Sequence, residues 1–203
     1  MRAVFTAWFQ GAMDTFSSDA DFLKRARARL CLQPPPMGNG RPAAVLMPLM
    51  EKDGALHALF TVRAADLPSH AGQVSFPGGC MEAGEDALAC ALRETEEETG
   101  IARRFIEPVG FWRPCATRTG YVVSPLLGRL KPGYRLSPDA REVAEVFSVP
   151  VAMLMDDARY RLVEGEWRGR WRRGWVLEHE GYRIWGATAA MLRALRERLY
   201  GTR

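Results

Sequence analysis

The chain has 203 residues, 47% of them hydrophobic, and a formal charge of +4. That length supports one ordinary domain with an extension, and the apolar content excludes a disordered chain. The arginine-based excess of positive charge is too small to argue for a nucleic-acid surface, and no apolar run is long enough to cross a bilayer.

The opening stretch MRAVFTAWFQGAMDTFSSD is broken by Gln10, Gly11 and Asp14, which speaks against a secretory signal. Cysteines stand at 31, 80, 90 and 115 without CxxC spacing, and the histidines complete no zinc pattern, so free thiols in a cytoplasmic protein are expected. Residues 18–30 predict a helix, with Ser18 as N-cap and Phe22, Leu23, Ala26 and Leu30 as its apolar stripe. The linker QPPPMGNGRP follows and divides residues 1–39, a helix and connector, from a main domain over 40–203.

AAVLMPLM and LHALFTVR predict two strands joined at Asp53-Gly54, a hairpin turn. QVSF is a short strand before Pro77-Gly78-Gly79. Residues 87–99 predict a helix with Leu88, Ala91, Leu92, Thr95 and Thr99 inward. EPVGFWRPC, YVVSPLLGRL and EVAEVFSVPV predict further strands, and a short helix starts after Pro150. Residues 160–185 read as a hairpin or a long irregular loop. A last helix runs from about Thr188 to Leu199, with Met191, Leu192, Leu195 and Leu199 inward. No internal repeat is present, and the class is α+β, a mixed α/β sandwich.

The segment 93-RETEEETG-100 stands out. At ~100° per residue, Glu94, Glu97 and Glu98 share one sector of the predicted helix, while Glu96 lies elsewhere as ordinary surface. Like charges at this spacing repel. A divalent cation offsets them most simply, and carboxylate oxygens alone suit Mg²⁺ or Mn²⁺. Arg93, one turn before Glu97, can pair with it. The competing reading is a solvated acidic face with i,i+4 charge pairs.

The flanks bear on that choice. From Gly79 the order is five residues, Glu85, seven residues, Arg93-Glu94, two residues, Glu97-Glu98, one residue, Gly100 and apolar Ile101. Gly100 sits where a left-handed helix cap is favoured. This pattern resembles the box of the Nudix hydrolase superfamily. The resemblance implies a loop–helix–loop on a mixed β-sheet between helices, and Mg²⁺- or Mn²⁺-dependent cleavage of a nucleoside diphosphate derivative. It implies Glu94, Glu97 and Glu98 as catalytic metal ligands, Arg93 and Glu85 as residues orienting their helix, and Gly78, Glu85 and Gly100 as structural positions of the motif.

Upstream, 59-LFTVRAADLPSHAGQVSFPGG-79 is similar to the signature of the coenzyme A diphosphatase branch. Leu59, Thr61, Arg63, Leu67, His70, Gly72, Phe76, Pro77, Gly78 and Gly79 fit it, with Ala64 for the usual Ser and Pro68 for the usual Arg. TGYVVSPLLG, EVAEVFSVPVAML and YRIWGATAAML continue the likeness, which covers about residues 40–200. It implies hydrolysis of CoA or its derivatives to 3′,5′-ADP and a 4′-phosphopantetheine product, with other nucleoside diphosphate derivatives (ADP-ribose, NADH, dinucleoside polyphosphates) as the alternative. A non-catalytic nucleotide- or RNA-binding module is the competing class.

Arg63, near a strand end, can fork a phosphate oxygen or pair with Glu94 or Glu97. His70 can bind a phosphate or satisfy backbone. Gly79, with these two, completes the expected substrate-binding set. A further carboxylate from outside the box would be Glu142 or Glu145, and strand alternation does not choose between them. The run GEWRGRWRRGW reads as an Arg-rich hairpin with packed tryptophans in preference to a nucleic-acid surface. One of Arg168, Arg170, Arg172 or Arg173 could meet a substrate phosphate. The expected partner is a small-molecule substrate, CoA or an acyl-CoA, with no membrane and no nucleic acid. A homodimer is left open.

Overall fold

The computed structural model describes residues 15–67, 70–167 and 170–201. Helix α1 (Asp19–Arg29) begins as expected, with the Ser18 hydroxyl accepting the Asp21 amide at 3.1 Å. Phe22 and Ala26 are completely buried in the main core. The Asp19 carboxylate accepts the Leu56 amide at 2.7 Å, which ties the helix to the first hairpin.

That hairpin is β1 (Arg41–Lys52) and β2 (Ala55–Arg63). Asp53 and Gly54 both have positive φ, the conformation that lets a two-residue turn match strand twist. β3 (Val74–Ser75) pairs with β2, and β4 (Gly78–Cys80) pairs antiparallel with β1 through Ala43–Cys80, Ala44–Gly79 and Val45–Gly78. The glycines that follow QVSF thus form a strand of their own, beyond those expected from the sequence. A Cβ on Gly78, at φ 152°, would collide with the Ala44 carbonyl oxygen and the Val45 Cα, so only glycine permits this approach.

Helix α2 (Ala87–Thr99) is capped by the Asp86 carboxylate, which accepts the Ala89 amide at 2.8 Å, and it ends at Gly100 with φ 73°. β5 (Ile106–Phe111) and β6 (Cys115–Ala116) replace the single strand expected over 107–115. Pro114 lacks an N–H to continue the ladder. Trp112 leaves it to donate its indole N–H to the Met191 carbonyl at 2.9 Å. β7 (Tyr121–Leu130) runs parallel to β1 over nine register pairs. β8 (Val143–Pro150) flanks β2 antiparallel and leads into α3 (Val151–Leu154).

Residues 160–185 are neither irregular nor a simple hairpin. β9 (Arg161–Trp167), β10 (Arg170–His179) and β11 (Tyr182–Trp185) form a separate antiparallel sheet. Its second turn is Glu180-Gly181, both at positive φ. α4 (Gly186–Tyr200) closes the chain with Met191, Leu192, Leu195 and Leu199 buried.

The main sheet has the order β3-β2-β1-β7-β5, with β4 beside β1, β6 beside β7 and β8 beside β2. Its two faces carry different cores. One buries Phe60, Phe76, Trp112, Leu177 and Ile184 with α1 and α4. The other buries Leu46, Leu59, Ile101 and Leu126 with Ala87, Cys90 and Ala91 of α2. Helices thus cover both faces of a mixed sheet, which is the α+β arrangement expected. No helix among the described residues is long and apolar enough to cross a membrane.

Candidate active site

The acidic helix does not turn its carboxylates away from the sheet. The fully buried positions of α2 are Ala87, Cys90, Ala91, Thr95, Glu98 and Thr99, while Leu88 and Leu92 are only partly buried. The inward arc is therefore rotated from the apolar stripe toward Glu94 and Glu98. The reason is local. Gly78-Gly79 of β4 and the end of β2 lie over that flank, and they accept polar side chains where the sheet interior would not. Glu98 is 3% exposed, with the Gly78 amide 3.3 Å from Oε2 and Arg63 Nη1 3.7 Å from Oε1. Of the two pairings expected for Arg63, with Glu94 or Glu97, neither forms; Glu98 takes that place. The Arg63 Nε is buried without a hydrogen-bond partner.

Gly79 acts through the space it leaves. A Cβ there would lie 2.5 Å from the Glu94 carboxylate. Arg93 organises the other side: Nε and Nη2 fork the Glu85 carboxylate at 2.9 Å each. Nη1 reaches Glu94 and Glu97, also at 2.9 Å, and Nη2 donates to the Cys80 carbonyl at 3.2 Å. One planar guanidinium therefore ties the box loop to the helix, a task a lysine ammonium cannot do at this many angles. Glu96 instead pairs with Arg103 at the surface.

The electrostatics follow from this packing. Burial pushes the Glu98 carboxyl up to about 8, with Arg63 pulling the other way and Glu94 and Glu142 adding to the rise. Glu94 is raised as well, burial first, with Glu97 and Glu142 contributing. Hydrogen bonding to Arg93 holds Glu85 down at about 2. Burial takes the Cys90 thiol up to about 12, so it is an inert packing group. Cys80, next to Gly79, is exposed, and all four cysteines are free.

The two outlying carboxylates lie in different surroundings. Glu145 lies on the face of Phe147 and Tyr182 and accepts a hydrogen bond from the Tyr182 hydroxyl. Phe147 stacks on Tyr182 with ring centroids 3.7 Å apart. Glu142, in the turn before β8, has its carbonyl bonded to the Ala64 amide at 2.8 Å, next to Arg63, and its charge acts on Glu94 and Glu98. His70 is exposed at φ 59°, with Nδ1 2.8 Å from the Gln73 amide oxygen.

Arg173 pairs with Glu164 on the three-stranded sheet, and Trp175 lies under the Arg193 guanidinium at 3.8 Å. Trp171 is 73% exposed. Pro68 and Arg168, and the side chains of Arg170 and Arg172, lie outside the described residues.

The site is thus a glycine-flanked acidic helix on a mixed sheet, locked by one arginine. A family model described as the NUDIX domain matches residues 40–168. The chain is 36% identical over 184 residues to the uncharacterized Nudix hydrolase NudL of Photorhabdus laumondii, covering 89% of this chain and 97% of that protein. To the NudL protein of Escherichia coli K12 it is 40% identical over 160 residues, covering 77% of this chain and 82% of that one. The Caenorhabditis elegans Ap4A hydrolase binary complex overlays with a TM-score of 0.48 at 22% identity, covering 54% of this chain and 80% of that one. This chain belongs to the Nudix family.

Nudix hydrolases generally use divalent metal ions, typically Mg²⁺. Among the described residues no three Asp, Glu, His or Cys side chains are already gathered around one point that would hold an ion. Arg93 engages Glu94 and Glu97 instead. The donor set still fits a hard cation. Its donors are all carboxylate oxygens, and Glu94 and Glu98 are desolvated with their charge only partly offset.

Proposed function

We propose that this chain hydrolyses the diphosphate of coenzyme A or its derivatives, giving 3′,5′-ADP and a 4′-phosphopantetheine product. The observation that carries this reading is the meeting of the two motifs. Arg63, from the upstream signature, stands 3.7 Å from Glu98 of the box. Its side chain is 24% exposed, so the outer part of the guanidinium can meet a phosphate oxygen, while the buried Nε has no partner among the described residues.

In this reading Glu94, Glu97 and Glu98 hold Mg²⁺ or Mn²⁺. The bound ion neutralises diphosphate charge and lowers the pKa of a water. Arg93 and Glu85 keep the helix in register with β4. Arg63 and His70 bind phosphate oxygens, and Gly79 keeps the floor of the site open. Glu142 takes the proton from the attacking water. Water oxygen joins one phosphorus, the bridging oxygen leaves with the other, and the proton passes to Glu142.

The test is incubation of the full chain with CoA and Mg²⁺ or Mn²⁺ at alkaline pH, with 3′,5′-ADP measured by chromatography. Parallel reactions contain ADP-ribose, NADH and diadenosine polyphosphates. Turnover of CoA above the others supports the reading. No 3′,5′-ADP, with hydrolysis of another compound in the panel, overturns the CoA assignment. Pro68, where the related signature has Arg, is the observation that favours that second outcome.

A further inference from the structure

We infer that Gly100 is a positioning residue for Glu142, through a backbone clamp between the end of α2 and the loop at 137–142. The clamp rests on the proposed role of Glu142, but its geometry is independent of any substrate. An α-helix leaves its last carbonyls without intrahelical donors. At the end of α2 the Ser137 amide donates to the Thr99 carbonyl at 2.9 Å and the Asp139 amide to the Glu98 carbonyl at 3.1 Å. The same loop then turns back on itself. The Asp139 carbonyl accepts the amides of Glu142 at 2.9 Å and Val143 at 2.8 Å. The Glu142 carbonyl accepts the Ala64 amide at 2.8 Å. Through Asp139, three backbone hydrogen bonds thus link Glu98 to Glu142 and on to Ala64, the residue after Arg63.

Gly100 is the base on which this loop rests. A Cβ on Gly100 would lie 2.8 Å from the Ser137 carbonyl oxygen, 2.9 Å from its Cβ and 3.0 Å from its nitrogen. Two of these atoms are backbone, so the loop itself must move. The left-handed φ alone would explain a glycine here, and asparagine also tolerates that φ. Asparagine does not remove the collision. Gly54 offers the matched control: its φ is 77° against 73° for Gly100, and nothing lies within 4 Å of its Cβ position.

The experiment compares Gly100→Asn, Gly54→Asn, Glu142→Gln and Gly100→Asn/Glu142→Gln in the full chain. The first readout is NMR hydrogen exchange at the amides of Ser137, Asp139, Glu142, Val143 and Ala64. The second is kcat and KM for whichever diphosphate substrate the panel identifies. Gly100→Asn is expected to speed exchange at these amides at least about tenfold and to lower kcat about ten- to a hundredfold with KM little changed. Gly54→Asn leaves both readouts as in the parent chain. The double variant loses no more than about twofold beyond Glu142→Gln.

Unchanged exchange at these amides in Gly100→Asn, or losses that multiply in the double variant, overturns the inference. A Glu142→Gln enzyme with undiminished kcat overturns the role of Glu142 in the proposed function, and the exchange data alone then judge the clamp. Asp139→Ala guards against a Gly100 variant that does not fold. It removes the exposed Asp139–Arg141 pair and the cap on the Arg141 amide. Because the backbone bonds of Asp139 remain, exchange at Glu142 and Val143 is expected to stay within about twofold of the parent; a larger rise shows the side chain holding the loop and counts against the clamp.

Discussion

Replacing Glu98 by glutamine is expected to make the cation-free protein more stable at alkaline pH, although it removes a residue at the centre of the site. Glu98 is 3% exposed, and burial raises its carboxyl from 4.5 to about 8. A carboxyl raised on folding contributes its full share of stability below the unfolded value. That share is lost as pH rises toward the folded value. At ~1.4 kcal/mol per tenfold, the loss is about 1 kcal/mol at pH 5.5, about 3 at pH 7 and about 5 at pH 9. Glutamine keeps the volume and an oxygen to accept the Gly78 amide, but never ionises. Urea denaturation in EDTA at these three pH values measures the difference. The Glu98→Gln chain should match the parent near pH 4, exceed it increasingly between pH 5 and 8, and hold a constant margin above that. Adding Mg²⁺ at pH 9 should recover the parent chain and leave the variant unmoved. A variant less stable than the parent at pH 9, or a difference independent of pH, would refute the reasoning.

Gly79→Ala places a methyl 2.5 Å from the Glu94 carboxylate, so calorimetry should show Mn²⁺ affinity reduced at least about tenfold, with thermal unfolding shifted much less. Glu142→Gln should lower kcat about a hundredfold while Glu145→Gln stays within about twofold, since the sheet separates Glu145 from α2. Arg63→Ala leaves Glu98 buried without its cation. Urea denaturation in EDTA should show a loss of stability that is small up to pH 7 and grows above pH 8, where Arg63 no longer offsets the ionising carboxyl. Arg93→Lys should lower kcat/KM about a hundredfold, because one ammonium cannot fork Glu85 and reach Glu94 and Glu97 together.

Much of this architecture was legible in the sequence because it is written locally. Ser18 and Gly100 mark helix ends, Asp53-Gly54 marks a turn, and apolar periodicity marks the helices and most strands. What stayed hidden depends on distant partners. The pairing of β4 with β1 needs Val45 to lie across from Gly78, thirty-three places away, and a Gly-Gly dipeptide advertises a turn more loudly than a strand. The burial of Glu98 is invisible to periodicity, because a carboxylate carries no apolar signal. Only the arrival of Arg63 and Gly78 makes its burial tolerable. That Glu145 lies on the face away from α2 is visible only through Tyr182, a residue of another sheet that bonds it. The three-stranded sheet escaped notice because the arginines masked its alternation and Glu180-Gly181 is a weak turn signal.

The underside of α2 offers the sheet alanine, cysteine and threonine at its fully buried positions, and no large aliphatic side chain. Little apolar area holds this helix down compared with the opposite face, where Trp112, Phe22, Phe60 and Tyr200 are packed away. Its anchorage is charge: Arg93 on one flank, Arg63 on the other. The hold of α2 on the sheet therefore depends on ion pairs as well as on Leu88 and Leu92, and it responds to charge more than the opposite face does. If its carboxylates hold a cation as proposed, removing divalent ions should loosen this helix and speed its proteolysis, and restoring them should reverse both.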